Sequence, residues 1–87
     1  MSRRYVITTA DGRTFSGMVH GSGGIVGDGP RCLDRLRTDA RRAAEGKRLS
    51  IYEPKPGHAR VYQNYTAEGS GNEVDVPLAG ATVEVAS

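Results

Sequence analysis

A single helical pattern constrains the fold of this chain most, because the other patterned segments alternate as strands do. From Pro30 to Gly46 the apolar residues fall within an arc of about 120° on a helix. Pro30 suits the first helical position, where no N–H is needed, and Gly46 suits the position after the helix end. The apolar stripe consists of Cys32, Leu33, Leu36, Ala40, Ala43 and Ala44. Because many of these residues are small, we expect the helix to lie close against a sheet.

Strand patterns flank this helix on both sides. Strands are predicted over 4–9 and 14–20, joined by the Asp11-Gly12 dipeptide that is typical of tight hairpins. After the helix, strands are predicted over 49–53, 58–66 and 81–86, and 74–78 is an edge-like segment because Pro77 cannot donate to a ladder. The order ββαβββ predicts one α+β domain over residues 1–87, a small antiparallel sheet with one amphipathic helix packed across it.

Glycines are concentrated between residues 21 and 29, and this stretch is predicted to be a loop. Gly21 and Gly23 fit the dinucleotide-binding fingerprint, but Val26 stands where a third glycine is needed, and no P-loop lysine follows. A flexible loop that opens a helix still leaves N–H groups for an anion. The plainer interpretation, a connection from sheet to helix, is favoured.

The helix is the basic part of the chain. Residues 31–48 carry seven basic and three acidic side chains, whereas residues 49–87 carry two basic and five acidic ones. This polarity could steer an anionic partner or pair two copies head to tail. On the helix, Arg37 and Arg41 flank one side of the apolar stripe. Spacing allows ion pairs within the helix, so a solvated, salt-bridged face is the default expectation; the candidate pairs are Arg35–Asp39, Arg41–Glu45, Asp34–Arg37 and Asp39–Arg42.

Two tyrosines are predicted to lie on the outer face of the sheet. If Ile51 and Val61 face the helix, strand alternation places Tyr52, Arg60 and Tyr62 on the opposite side. Such a surface could stack bases or a planar ligand. It could equally be a self-association patch, because tyrosine and arginine are common interface anchors. The interface is favoured because the core is thin.

Size and cysteine content support that expectation of self-association. The chain has 87 residues, 37% of them hydrophobic, and no Trp, and a core of this size rarely supplies more than about 3–5 kcal/mol. Cys32 is the only cysteine, so no disulfide can form within the chain, and with His20 and His58 it does not make a zinc-like set. We therefore expect a homo-oligomer, most simply a homodimer, without metal or cofactor.

The favoured function is a non-enzymatic small binding module for an anionic, phosphate-bearing ligand such as a nucleotide. Its predicted ligand-binding residues are Gly23, Gly24, Gly29, Arg31, Arg35, Tyr52 and Tyr62. The alternative is a protein–protein interaction factor, for example a phage-encoded inhibitor or accessory protein. Nucleic-acid binding comes third. Enzymatic activity comes last and no catalytic residue is predicted, because Cys32 lies in the apolar stripe although His20 is nearby in sequence.

The cellular location is predicted from what the sequence lacks. The first residues contain arginines but no apolar stretch of a signal peptide, and no run is long enough to span a membrane. With a lone cysteine, this favours the cytoplasm. Arginine outnumbers lysine ten to two, which is typical of a high-GC bacterial or phage genome.

Overall fold

The structure, a computed structural model, describes residues 5–21, 24–26, 30–64 and 71–85. In this part of the chain one helix and six strands form, in the order β1 (Tyr5–Thr8), β2 (Thr14–Gly21), β3 (Gly24–Val26), α1 (Pro30–Ala44), β4 (His58–Gln63), β5 (Asn72–Pro77) and β6 (Thr82–Val85).

All strand pairs are antiparallel, and the strands follow the order β5-β4-β2-β1-β6, with β3 paired to β2. The eight-residue β2 is shared: its first half pairs with β1, and its second half pairs with β3 and β4. Three strands follow the helix, which fits the predicted ββαβββ order. The predicted α+β fold, a small antiparallel sheet with one helix, is therefore confirmed.

Two of the predicted secondary-structure assignments were wrong. Residues 49–53 were predicted to be a strand, but they form no ladder. Side chains bind their backbone instead: Glu53 accepts the N–H of Leu49 and Asp39 accepts the N–H of Ser50. Ile51 is nevertheless buried, so its apolar character reflects packing against the core rather than strand pairing.

The predicted loop over 21–29 also contains regular structure. Gly24–Val26 forms β3, in which Ile25 pairs with His20 and Val26 with Val19. Two β-branched residues in succession favour an extended backbone, which explains why this part of the glycine-rich stretch joins the sheet.

The helix ends as its sequence predicts. Gly46 has a φ of +75°, and its N–H donates to the carbonyl of Ala43 at 3.1 Å, while the N–H of Lys47 donates to that of Arg42 at 2.8 Å. These two bonds define a Schellman motif, which needs a left-handed residue after the helix. Within the predicted stripe, Leu36 and Ala40 are buried, Cys32, Leu33 and Ala43 are partly buried, and Ala44 is exposed.

The core lies between α1 and the inner face of the sheet. Its buried hydrophobic members are Tyr5, Ile7, Val19, Leu36, Ala40, Ile51, Ala59, Val61, Val76, Leu78 and Val83. Ala59 and Val61 alternate with Arg60 and Tyr62, so the predicted facing of β4 is confirmed. On β6 Val83 is buried, whereas Val85 is 38% exposed.

Gly17 sets the spacing between β2 and β4. A Cβ at this position would lie 2.9 Å from Val61 Cγ1 and even closer to the carbonyl oxygen of Tyr62. Glycine therefore permits the close approach of the two strands, next to the paired residues Met18 and Tyr62.

Candidate functional site

The outer face of the sheet gathers an arginine, a tyrosine and two carboxylates. The guanidinium carbon of Arg60 lies 5.4 Å from the ring centroid of Tyr52, within the range of a cation–π contact. Its Nε donates to Asp75 Oδ1 at 3.2 Å, and its Nη1 is 3.7 Å from Glu73 Oε2. The hydrogen bond that Arg60 donates to Asp75, together with the charge of that carboxylate, raises the pKa of Arg60. These contacts hold the guanidinium group of Arg60 in one orientation.

The strand register extends this arrangement into a continuous surface. Tyr62 lies opposite Glu73 on β5 and opposite Met18 on β2, and Arg60 lies opposite Asp75. Tyr52 is 38% exposed and Tyr62 is partly buried. We call this surface, made of Tyr52, Arg60, Tyr62, Glu73 and Asp75, the tyrosine face.

The charge of the tyrosine face decides which ligands suit it. One guanidinium is offset by two carboxylates, and a phosphate would meet the repulsion of both. Base stacking needs a flanking basic groove, and Arg60 is already bound to acids. The pairing therefore disfavours a phosphate group on this face.

The helical arginines are placed differently from the prediction. Asp39 was expected to pair with Arg35 or Arg42, but it is fully buried. Its Oδ1 accepts the Ser50 N–H at 2.9 Å, and both carboxyl oxygens lie 3.0 Å from the Ser50 hydroxyl. Arg42 instead donates from Nε to the carbonyl of Arg48 at 2.7 Å.

The other two predicted ion pairs are also replaced. Glu45 pairs with Lys47 at 3.3 Å and not with Arg41. Arg37, expected to pair with Asp34, donates from Nη2 to Glu84 Oε2 at 3.1 Å on β6. Within the described ranges, Arg35 and Arg41 are exposed and form no salt bridge within 4.0 Å. The helix therefore carries more unpaired positive charge than its sequence suggested.

The structure describes only some of the residues around the start of α1 that were predicted to bind an anion. Gly24 lies in β3 and pairs with Gly21. Gly23, Gly29 and the side chain of Arg31 lie outside the described residues. Arg35 projects from the exposed side of α1, whose buried side packs on the face of the sheet opposite Tyr62. Among the predicted site residues that the structure describes, Arg35 and the two tyrosines thus lie on two separate surfaces.

A groove of about 460 Å³ runs between α1 and β6. Its walls are Arg37, Ala40, Arg41, Ala44 and residues 80–84. Arg37 Nε donates to the carbonyl of Val83 at 3.0 Å, so one side chain spans the groove. We call it the strand–helix groove.

A second groove of about 460 Å³ lies beside the C-terminal end of α1. Its lining includes Glu53, whose Oε2 accepts the N–H groups of Leu49 at 3.3 Å and Gly57 at 3.2 Å. Both hydrogen bonds tie down the segment before β4. We therefore assign Glu53 a structural role.

Sequence reasoning missed several of these contacts. Asp39 could have been found, because it lies three residues after Leu36 and just before Ala40, within the buried stripe. The partners of Arg37 and Arg60 are distant in sequence, and no local pattern indicates them.

The described residues contain no group of three or more His, Cys, Asp or Glu side chains that could hold a metal ion. Cys32 is partly buried against the core, and the side chain of His20 lies outside the described residues. In the described part of the chain, no helix is long and apolar enough to cross a membrane. Comparison with protein-family models, with curated proteins and with solved structures finds no match.

Proposed function

We propose that this chain is a non-enzymatic protein-interaction module and that the tyrosine face is its contact surface. The observation that carries the proposal is the fixed position of Arg60 between Tyr52 and two carboxylates. A side chain already ordered in the free protein loses little conformational freedom on binding, so such a surface is preorganised for association.

The first partner we propose is a second copy of the chain. A two-fold interface is self-complementary, because each residue meets the same surface of the other subunit. A face that carries Arg60 beside Glu73 and Asp75 holds both signs of charge, so a two-fold arrangement can set the guanidinium of each copy, still bound to its own acids, between the carboxylates of the two copies. The tyrosines supply the apolar area that an interface needs.

The molar mass in solution tests this proposal. By sedimentation equilibrium at micromolar concentration, we expect a dimer for the wild type and a monomer for the double variant Tyr52→Ala/Tyr62→Ala. Val85→Ala is the control, because Val85 is as exposed as Tyr52 but lies on β6. A wild-type monomer, or a double variant that dimerises as well as the wild type, would refute the tyrosine face as the interface.

A phosphate-bearing ligand is the second candidate, and the exposed charges of Arg35 and Arg41 favour it. We expect pyrophosphate to shift the amide resonances at the start of α1, and Arg31→Ala or Arg35→Ala to weaken its binding. Lys47→Ala is the control, because Lys47 pairs with Glu45. Binding unchanged in both arginine variants would remove these residues from the site. Nucleic-acid binding, the third candidate, requires an affinity that falls steeply with salt.

A further inference from the structure

We infer that the strand–helix groove binds an extended acidic peptide, which adds as a strand to the edge of β6. This inference is independent of the tyrosine face. Among the described strands, β6 pairs with β1 alone, so it lies at the edge of the sheet. An edge strand offers backbone N–H and C=O groups to another extended chain.

The Arg37 contact identifies the open edge. N–H and C=O groups of one residue in an antiparallel strand point to the same side. The carbonyl of Val83 accepts a hydrogen bond from Arg37 of α1, so the backbone of Val83 faces the groove. In the free protein Arg37 occupies this acceptor, and an incoming peptide N–H takes its place.

The floor of the groove leaves room for a second strand. Four of its lining residues have small side chains or none: Ala40, Ala44, Gly80 and Ala81. Alternate side chains of a bound strand point to one face. The aliphatic stems of the side chains on the face towards α1 would rest on this floor, which larger residues would fill.

The arginines of α1 select acidic side chains. Arg37 and Arg41 both line the groove and lie four residues apart on one helix. Residues at this separation are about 6 Å apart along a helix, and alternate residues of an extended strand are about 6.6 Å apart. Two carboxylates at alternate positions of the peptide therefore match the two guanidinium groups. Glu84 offsets part of the charge of Arg37, while Arg41 contacts the Thr38 hydroxyl at 3.4 Å and remains open to a carboxylate.

The experiment uses a labelled, end-blocked peptide in which valine alternates with glutamate, titrated with the full chain by fluorescence anisotropy. We expect Arg41→Ala to weaken binding by about ten-fold, because it removes one charge-assisted contact. Arg41→Lys keeps the charge and should lose less of the affinity for the peptide. Arg35→Ala is the control, because Arg35 is exposed on the same helix outside the groove.

Two further peptides separate strand addition from general charge attraction. A peptide with lysine in place of glutamate, and one with methylated backbone nitrogens on the pairing side, should both fail to bind. No binding of the parent peptide, equal loss in Arg35→Ala and Arg41→Ala, or equal binding of the methylated peptide would each overturn the inference. The variant Tyr52→Ala/Tyr62→Ala should bind the parent peptide as the wild type does, because the tyrosine face lies outside the groove. The dimer proposal and the peptide inference can therefore fail independently of each other.

Discussion

The buried carboxyl of Asp39 fastens Ser50, eleven residues later in the chain, to the middle of α1. It accepts the backbone N–H at 2.9 Å and contacts the hydroxyl at 3.0 Å. The contact holds the segment that leads from the helix to Ile51 in the core and to Tyr52 on the outer face of the sheet. The shape of the tyrosine face therefore depends on a side chain buried on the helix.

Asp39→Ala should lower the free energy of unfolding by about 1–3 kcal/mol, because the Ser50 N–H loses its acceptor. Urea denaturation measures this change as a lower midpoint. Ser50→Ala keeps the backbone hydrogen bond and removes only the hydroxyl, so it should cost less, about 1 kcal/mol.

Asp34→Ala is the control for this prediction. Asp34 is an exposed acid on the same helix, and its removal should change the free energy of unfolding by less than about 0.5 kcal/mol. Equal effects of Asp34→Ala and Asp39→Ala would mean that the buried carboxyl does not hold the segment.

Local patterns predicted the parts of the fold that local physics determines. The β1–β2 hairpin, the start of α1 at Pro30 and its end at Gly46 follow from turn and capping preferences of a few neighbouring residues. The alternation of β4 likewise follows from burial of Ala59 and Val61. These features depend on contacts between residues close in sequence.

The errors arise where side-chain contacts compete with the strand preference or where the partner is distant in sequence. Residues 49–53 have the alternation of a strand, but Asp39 and Glu53 bind two of their N–H groups and prevent a ladder. Arg60 was correctly placed beside Tyr52 on the outer face, yet its acidic partners on β5 could not be predicted without the register. The charge of the candidate site therefore had to come from the structure.

Gly17→Ala should destabilise the protein by about 1–3 kcal/mol, because the added methyl group has no space beside the Tyr62 carbonyl and Val61. The strands β2 and β4 would have to separate, which also moves Tyr62 relative to Met18. Denaturant unfolding measures the cost. Ser16→Ala is the control: Ser16 is the exposed neighbour on β2 and should be nearly neutral. A neutral Gly17→Ala would show that the strands tolerate a wider spacing.

The β1–β2 turn should make stability depend on acid pH through Asp11. The Thr9 hydroxyl donates to its carboxylate, and Arg13 Nε donates at 2.8 Å. The hydrogen bond from Thr9, followed by the charge of Arg13, lowers the pKa of Asp11 below its ordinary value of 3.8. In the unfolded chain the carboxyl has this ordinary value, so the folded state favours the ionised form. The contribution of Asp11 to the free energy of unfolding is complete above pH 3.8. It is lost as the pH falls through the lower pKa of the folded state.

Asp11→Asn should therefore have a lower free energy of unfolding than the wild type at neutral pH. The difference should shrink as the pH falls below the ordinary pKa of 3.8. Urea denaturation of both proteins at about pH 7 and about pH 3 measures it. Asp34→Asn, which removes an exposed acid on α1, is the control. A gap between wild type and Asp11→Asn that stays constant on acidification would mean that ionisation of Asp11 does not stabilise the hairpin.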